Sequence, residues 1–185
     1  MDFKKESYLS EPLLYITQLP ILSMFGDSAL HVAAKEGHLE MCEMIMEYLD
    51  DKNPKSIDFG RTPLHEAAYA GHLEVCQLIM KYLDNKNPSD DFGHTPFHKA
   101  AWRGHLQTCE SIMNYLDDKN PSNHIGHTPL HMAARHGQFE VCQLLIKHVT
   151  NKNPKDCWGK TPLHEAAEIG HYKIYCMIMA NVTDK

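Results

Sequence analysis

Apolar positions along this chain fall into two helical registers that alternate. The shorter places Leu64, Ala67 and Ala68 three to four residues apart, one face of a helix about two turns long. The longer runs from Leu73 to Leu83, with Val75, Cys76, Leu78, Ile79 and Met80 also apolar. So broad an arc suits a helix held between two neighbours rather than one resting on a single core. Gly71 separates the registers and supplies the left-handed conformation that ends the shorter helix. Thr62-Pro63 opens it: a threonine hydroxyl is suited to accept from an orphan N–H of the first turn, and proline loses nothing at the first helical position. A helix this short is unstable alone in water, so the sequence predicts that it stacks on copies of itself.

The copies are present. Gly60–Gly71 recurs at Gly93–Gly104, Gly126–Gly137 and Gly159–Gly170, and more loosely at Gly26–Gly37. The leading glycines step by 34, 33, 33 and 33 residues, and the second glycine always follows the first by 11. The single longer step traces to a linker, 53–60, with one extra residue, which predicts a bulge near Ser56-Ile57. Thr-Pro-Leu-His-x-Ala-Ala at this period resembles the ankyrin repeat. The resemblance implies an all-α solenoid of paired antiparallel helices with β-hairpin-like finger turns. On that pattern residues 1–22 form an N-terminal capping segment, with a helix from Ser10-Glu11-Pro12 to Pro20. Residues 23–185 form the array, with repeats at about 23–53, 54–87, 88–120, 121–153 and 154–185. The first repeat, with Asp27-Ser28-Ala29-Leu30-His31 and no Thr-Pro, fits an atypical end repeat.

One feature departs from the family. Where ankyrin repeats place Gly after the outer helix, this chain has Leu49, Leu83, Leu116 and Val149, followed by Asp/Asn-Lys-Asn-Pro. Asn53, Asn87, Asn120 and Asn153 are therefore expected to take the left-handed position, with proline blocking continuation. The end of the chain parallels residues 148–152, and its outer helix keeps Ile174, Met177 and Ile178 on one face. The expectation is that the array continues further, or associates end to end at its C-terminal repeat.

Composition narrows the function. The net charge of −6 weighs against generic binding to nucleic acid or anionic membranes. No run approaches the roughly 18 apolar residues of a membrane span. Cys42, Cys76, Cys109 and Cys142 share one slot, and helices packed roughly 10 Å apart are too distant for disulfides, which need Cα atoms within about 7 Å. These four read as small buried hydrophobes, and reduced thiols suit the cytoplasm or nucleus.

Fourteen histidines invite a search for chemistry. Nine belong to the repeat: His31, His65, His98, His131 and His164 before the alanines, and His38, His72, His105 and His171 after glycine. The resemblance implies that the first group bridges the motif threonine and the neighbouring finger. Of the rest, His94, His124, His127 and His136 are the conceivable partners of Cys157 in a zinc site, but no tight ligand spacing supports one. Phosphate loops, G-x-S-x-G and H-E-x-x-H are absent, so neither catalysis nor a cofactor is expected. The resemblance also marks Asn53, after Asp51, and Asn120, after Asp118, as partial matches to sites of asparaginyl hydroxylation.

What remains is recognition: a rigid repeat whose variable slots bind a partner protein on the concave face. The candidate residues are Phe59, Phe92, Ile125 and Trp158 before the finger glycine, and Arg61, His94, His127 and Lys160 after it. At the end of the inner helix they are Tyr69, Trp102, Arg103, Arg135, His136 and Ile169. Two rivals are a docking or autoinhibitory segment of a larger enzyme or channel, and nucleic-acid binding through the slot of Arg61. Asp27, Asp58, Asp91, Glu165 and Glu168 lie close enough to weigh against the latter.

Overall fold

The computed structural model describes residues 26–183. The expected capping segment and Phe25, the first member of the finger aromatic column, lie outside the described residues. Within them are ten helices and no strand. The inner helices are α1 (Ala29–Glu36), α3 (Pro63–Ala70), α5 (Pro96–Arg103), α7 (Pro129–Arg135) and α9 (Pro162–Ile169). The outer helices are α2 (Leu39–Tyr48), α4 (Leu73–Lys81), α6 (Leu106–Met113), α8 (Phe139–His148) and α10 (Tyr172–Thr183). Each inner helix packs on the next inner helix and on its own outer partner, giving the two-layered solenoid that the repeat implies.

Small residues set the spacing of the inner layer. Leu64, Ala67, Ala68, Ala100, Ala101, Ala133 and Ala134 are fully buried, as is Phe97 on α5, the helix that lies between α3 and α7. The cysteine column lies in the outer layer, where Cys42, Cys76, Cys109 and Cys142 are each completely buried and unpaired. Burial pushes the Cys42 thiol up to about 11 and Cys76 to about 12, so they pack as neutral groups. Gly71 ends α3 at φ +86°, and an added Cβ there would lie 2.5 Å from His105 Nδ1. That close approach has a purpose. His105 Nε2 donates to Tyr69 O at 3.0 Å, tying the start of one outer helix to the end of the preceding inner one. His72 and His171 do the same to Lys35 O and Arg135 O, and Gln138 substitutes through Trp102 O.

The motif histidine works from the third position of each inner helix. His65 Nδ1 accepts the Thr62 backbone N–H at 3.1 Å and lies 2.9 Å from its hydroxyl. The hydroxyl of the opening Ser or Thr serves this ring and also faces the N–H of the histidine in a capping box, a contact of 3.5 Å at Thr95. Because Nδ1 accepts, Nε2 carries the proton and donates to the next finger: His31 to Arg61 O, His65 to His94 O, His98 to His127 O and His131 to Lys160 O, at 2.9–3.3 Å. The expected bridge is therefore present at all four junctions between described repeats.

Between outer and inner helices, the expectation of left-handed asparagines is wrong. No described residue other than glycine has positive φ. Instead the asparagine side chain folds over the coming helix: Asn53 Oδ1 accepts from Leu64 N, Asn87 from Phe97 N and Asn153 from Leu163 N, at 3.1–3.3 Å. Its own N–H donates to the residue two before it, as Asn87 does to Asn85 Oδ1 at 3.0 Å. The intervening lysine then replaces the family's C-terminal glycine. Lys52 donates to Met46 O and Leu49 O, Lys86 to Leu83 O, and Lys119 to Met113 O and Leu116 O. A cation thereby meets the free carbonyls at the negative end of the outer helix.

The finger turns are hairpin-like without forming strands. Asp90 N donates to His94 O at 2.8 Å, closing the turn, while Asp90 Oδ1 accepts from Phe92 N and His94 N. Asn123 and Asp156 repeat this pattern. In the second repeat Ser56 N reaches Arg61 O, one residue further on, which is the bulge expected from the longer linker. Successive fingers join through Asp91 N to Phe59 O, His124 N to Phe92 O and Cys157 N to Ile125 O.

Two predictions follow from these contacts. Burial lowers the basicity of His65 and His131 to about 4 and His98 to about 3, whereas the unfolded chain titrates near 6.5. As pH falls from about 6.5 towards 4 the unfolded state takes up protons that the folded state refuses, so stability declines over that window. The loss is on the order of 1–2 kcal/mol per histidine by pH 5, and urea titrations at pH 7.5 and 5 should show a lower midpoint in acid. Separately, Asn87→Ala and Asn87→Gly should both cost about 1 kcal/mol by removing the acceptor for Phe97 N. A neutral or stabilising Asn87→Gly in the same urea assay would restore the left-handed reading.

Candidate functional site

Fingers and inner helices share one face of the solenoid, and the side chains left free of the repeat contacts collect there. Phe59 and Phe92, 40% and 53% exposed, touch with ring centroids 6.0 Å apart. They pack finger on finger yet remain open to solvent. Ile125 is also exposed, and Trp158, 69% exposed, projects beside His127 at 6.4 Å. At the helix ends runs a second row. The Arg103 guanidinium sits 5.0 Å over the Tyr69 ring, Tyr69 meets Trp102 edge-on at 5.9 Å, and Trp102 stacks on His136 at 5.0 Å. Ile169, half exposed, occupies the same slot one pair further on.

Beneath these rows lies a polar layer that sequence reasoning missed. Four fingers carry a buried polar residue (Ser56, Asp90, Asn123 or Asp156), and the inner helix that follows each holds Glu66, Lys99, Met132 or Glu165 in one slot. Of these, Lys99 and Glu165 are buried charges, Met132 is buried and apolar, and Glu66 is partly exposed. Lys99 is 5% exposed and holds Asp90 at 2.9 Å, with His94 on the other carboxylate oxygen at 3.6 Å. Burial alone would raise the Asp90 carboxyl, but the hydrogen bonds from His94 and Lys99 outweigh it and keep the acid ionised. Burial likewise lowers the basicity of Lys99, against the pull of Asp90. One junction further, Asn123 Nδ2 and His94 Nε2 lie 3.0 Å apart. At the last junction His127 Nε2 meets Asp156 Oδ2 at 3.1 Å.

These contacts change the standing of several candidates. Arg135 is not a free cation: its Nη1 lies 2.6 Å from Glu165 Oε2, and Glu165 is buried. Lys160 pairs with Glu168 at 2.8 Å, both well exposed. Arg61 lies over the Phe59 ring at 5.2 Å and 3.5 Å from Glu66. Among these candidates, then, the aromatic side chains are the freest, and Arg103, unlike Arg61, Arg135 and Lys160, forms no ion pair with a carboxylate. The signal for the hidden layer was present in the finger column, where Asp, Asn and Asp share a slot. The helix column gave none, since Glu, Lys, Met and Glu show no common chemistry.

The conceivable zinc set does not assemble. His94, His124, His136 and Cys157 stay out of the group that brings ligand atoms within 4.8 Å of one another among the described residues, which is His127, Asp156 and Glu165. That group is already engaged: Asp156 accepts from His127, Trp158 N and Lys160 N, and Glu165 holds Arg135.

A stack of helix pairs with a groove of aromatic and charged side chains is the architecture of a repeat-type interaction domain. The family described as ankyrin repeats (3 copies) matches residues 11–89, 30–123 and 97–185, most of the chain. The protein belongs to the ankyrin-repeat family, a general protein-interaction module. No curated protein matches the chain.

The buried pair offers a direct test. Lys99→Met should destabilise the fold by about 3 kcal/mol, because it strands a buried carboxylate. Asp90→Asn with Lys99→Met installs the residues that the next repeat uses, Asn123 and Met132, and should recover most of that loss in urea denaturation. A double variant no more stable than Lys99→Met alone would contradict the assignment.

Proposed function

We propose that this chain is a non-enzymatic interaction module that binds a partner protein through its concave face. The observation that carries the reading is the row Arg103–Tyr69–Trp102–His136, stacked side chain on side chain across three repeats. Aromatic and arginine side chains fixed in one geometry lose little entropy on binding and dominate interface energetics. On α4 the exposed residues Glu74, Gln77 and Lys81 are polar, while Tyr48, Tyr82 and Tyr115 stand exposed at the ends of the outer helices. Recognition of this kind needs no proton transfer, nucleophile or metal. The four buried cysteines, unpaired and neutral, suit a reducing compartment, either the cytoplasm or the nucleus.

The test is quantitative affinity purification of the wild type beside Trp102→Ala, Trp158→Ala and Gln77→Lys. Trp158→Ala should weaken capture of the partner at least tenfold, about 1.4 kcal/mol, while its melting temperature stays near that of the wild type. Trp102→Ala should weaken it as much, with some loss of stability from its stacking on His136. Normal capture by both tryptophan variants, with loss on Gln77→Lys, would place the site on the outer face.

A further inference from the structure

The concave face is not uniform. Between α1, α3 and α5 it sinks into a cavity of about 160 Å³. Drug-sized ligands occupy roughly 300–1,000 Å³, so this cavity has room for a single side chain. Tyr69 and Trp102 form its aromatic wall, and Lys35, Arg61 and Lys99 bring cations to it. His65 also lines it but brings no charge, because both ring nitrogens are committed to the repeat contacts.

The local charge is positive by one. Asp90 neutralises Lys99 from below and Glu66 lies loosely against Arg61 at 3.5 Å, leaving three cations against two carboxylates. Arg61 is also unsatisfied: its Nε is shielded from solvent and has no hydrogen-bond partner. The Arg61 side chain is nevertheless 42% exposed, so its terminal N–H groups are open to pair with an incoming carboxylate oxygen. The surplus of one charge matches a carboxylate better than a phosphate, which carries nearly two. The long apolar stem of glutamate, or the shorter one of aspartate, would lie against the Tyr69 and Trp102 rings.

We propose that this cavity receives an acidic side chain of the partner, so that the concave face selects a protein segment presenting Asp or Glu to Arg61 and Lys35. The proposal rests on the concave-face reading and specifies what that face prefers. Nucleic acid is the disfavoured occupant: the chain is acidic overall, and Glu66, Glu165 and Glu168 lie along the groove.

The experiment is selection of random linear peptides on the purified full chain, followed by calorimetry of the enriched peptides against variants. The expected peptides contain Asp or Glu, and changing that residue to Asn or Gln weakens binding at least tenfold. Arg61→Glu and Lys35→Glu should each weaken it comparably, whereas Lys81→Glu, the same charge change on α4, should not. Lys35 is exposed at the end of α1, so its variant tests the cavity even if Arg61→Glu impairs folding. Peptides that need Trp102 but neither an acid nor Arg61 would overturn the cavity assignment and leave the groove reading standing. Peptides indifferent to Trp102→Ala would overturn both. Selection of no peptide, or Arg61-dependent binding of a labelled single-stranded oligonucleotide in place of acidic peptides, would also overturn the proposal.

Discussion

One neutral imidazole per repeat holds this solenoid in register. Its Nδ1 accepts the N–H of the threonine that opens its own helix, and its Nε2 donates to a carbonyl of the next finger. The two contacts are coupled through the tautomer, because accepting at one nitrogen leaves the proton on the other. A local capping interaction is thereby converted into a bond between repeats. Helices of seven or eight residues have too few internal hydrogen bonds to persist alone. Neighbours secure them through these bridges, through alanine faces that allow close packing, and through His72, His105, Gln138 and His171, which tie four outer helices back to the inner helix of the preceding repeat.

Committing backbone and framework side chains to this stack leaves the groove side chains free to differ. The slots at successive junctions hold Arg61 with Asp90 and Lys99, His94 with Asn123 and Met132, then His127 with Asp156 and Glu165. Geometry is conserved by the finger turn, since Asp90, Asn123 and Asp156 all accept the same two backbone N–H groups. The remaining oxygen or amide of each is what varies. The groove therefore changes from cationic near α3 and α5 to a carboxylate-rich end near α9, on one unchanged backbone. That graded surface is what a recognition module requires, and nothing along it demands bond-making chemistry.

Period, helix pairs, buried cysteines and bridging histidines were legible in the sequence because the same residue fills each slot repeatedly. The extra linker residue was legible for the same reason, and it became the longer turn at Ser56. Legibility failed where a side chain's role depends on a distant backbone group. Asn87 reads as a turn residue until Phe97 N, ten residues on, is seen to be its partner. The burial of Lys99 and Glu165 was hidden because each depends on a specific partner distant in sequence, Asp90 in the finger of the same repeat or Arg135 in the preceding repeat. Arg135, one of the candidate binding residues, is engaged by the buried Glu165, whereas Trp158 and Phe92 stand on open surface.

Hydrogen exchange on the complex with the recovered partner tests the central claim most directly. If the concave face carries recognition, added protection falls on the finger residues 57–60, 91–94, 124–127 and 157–160 and on the ends of the inner helices. Protection confined to the outer helices, such as Leu73–Lys81 and Leu106–Met113, with the fingers exchanging as in the free protein, would contradict the account.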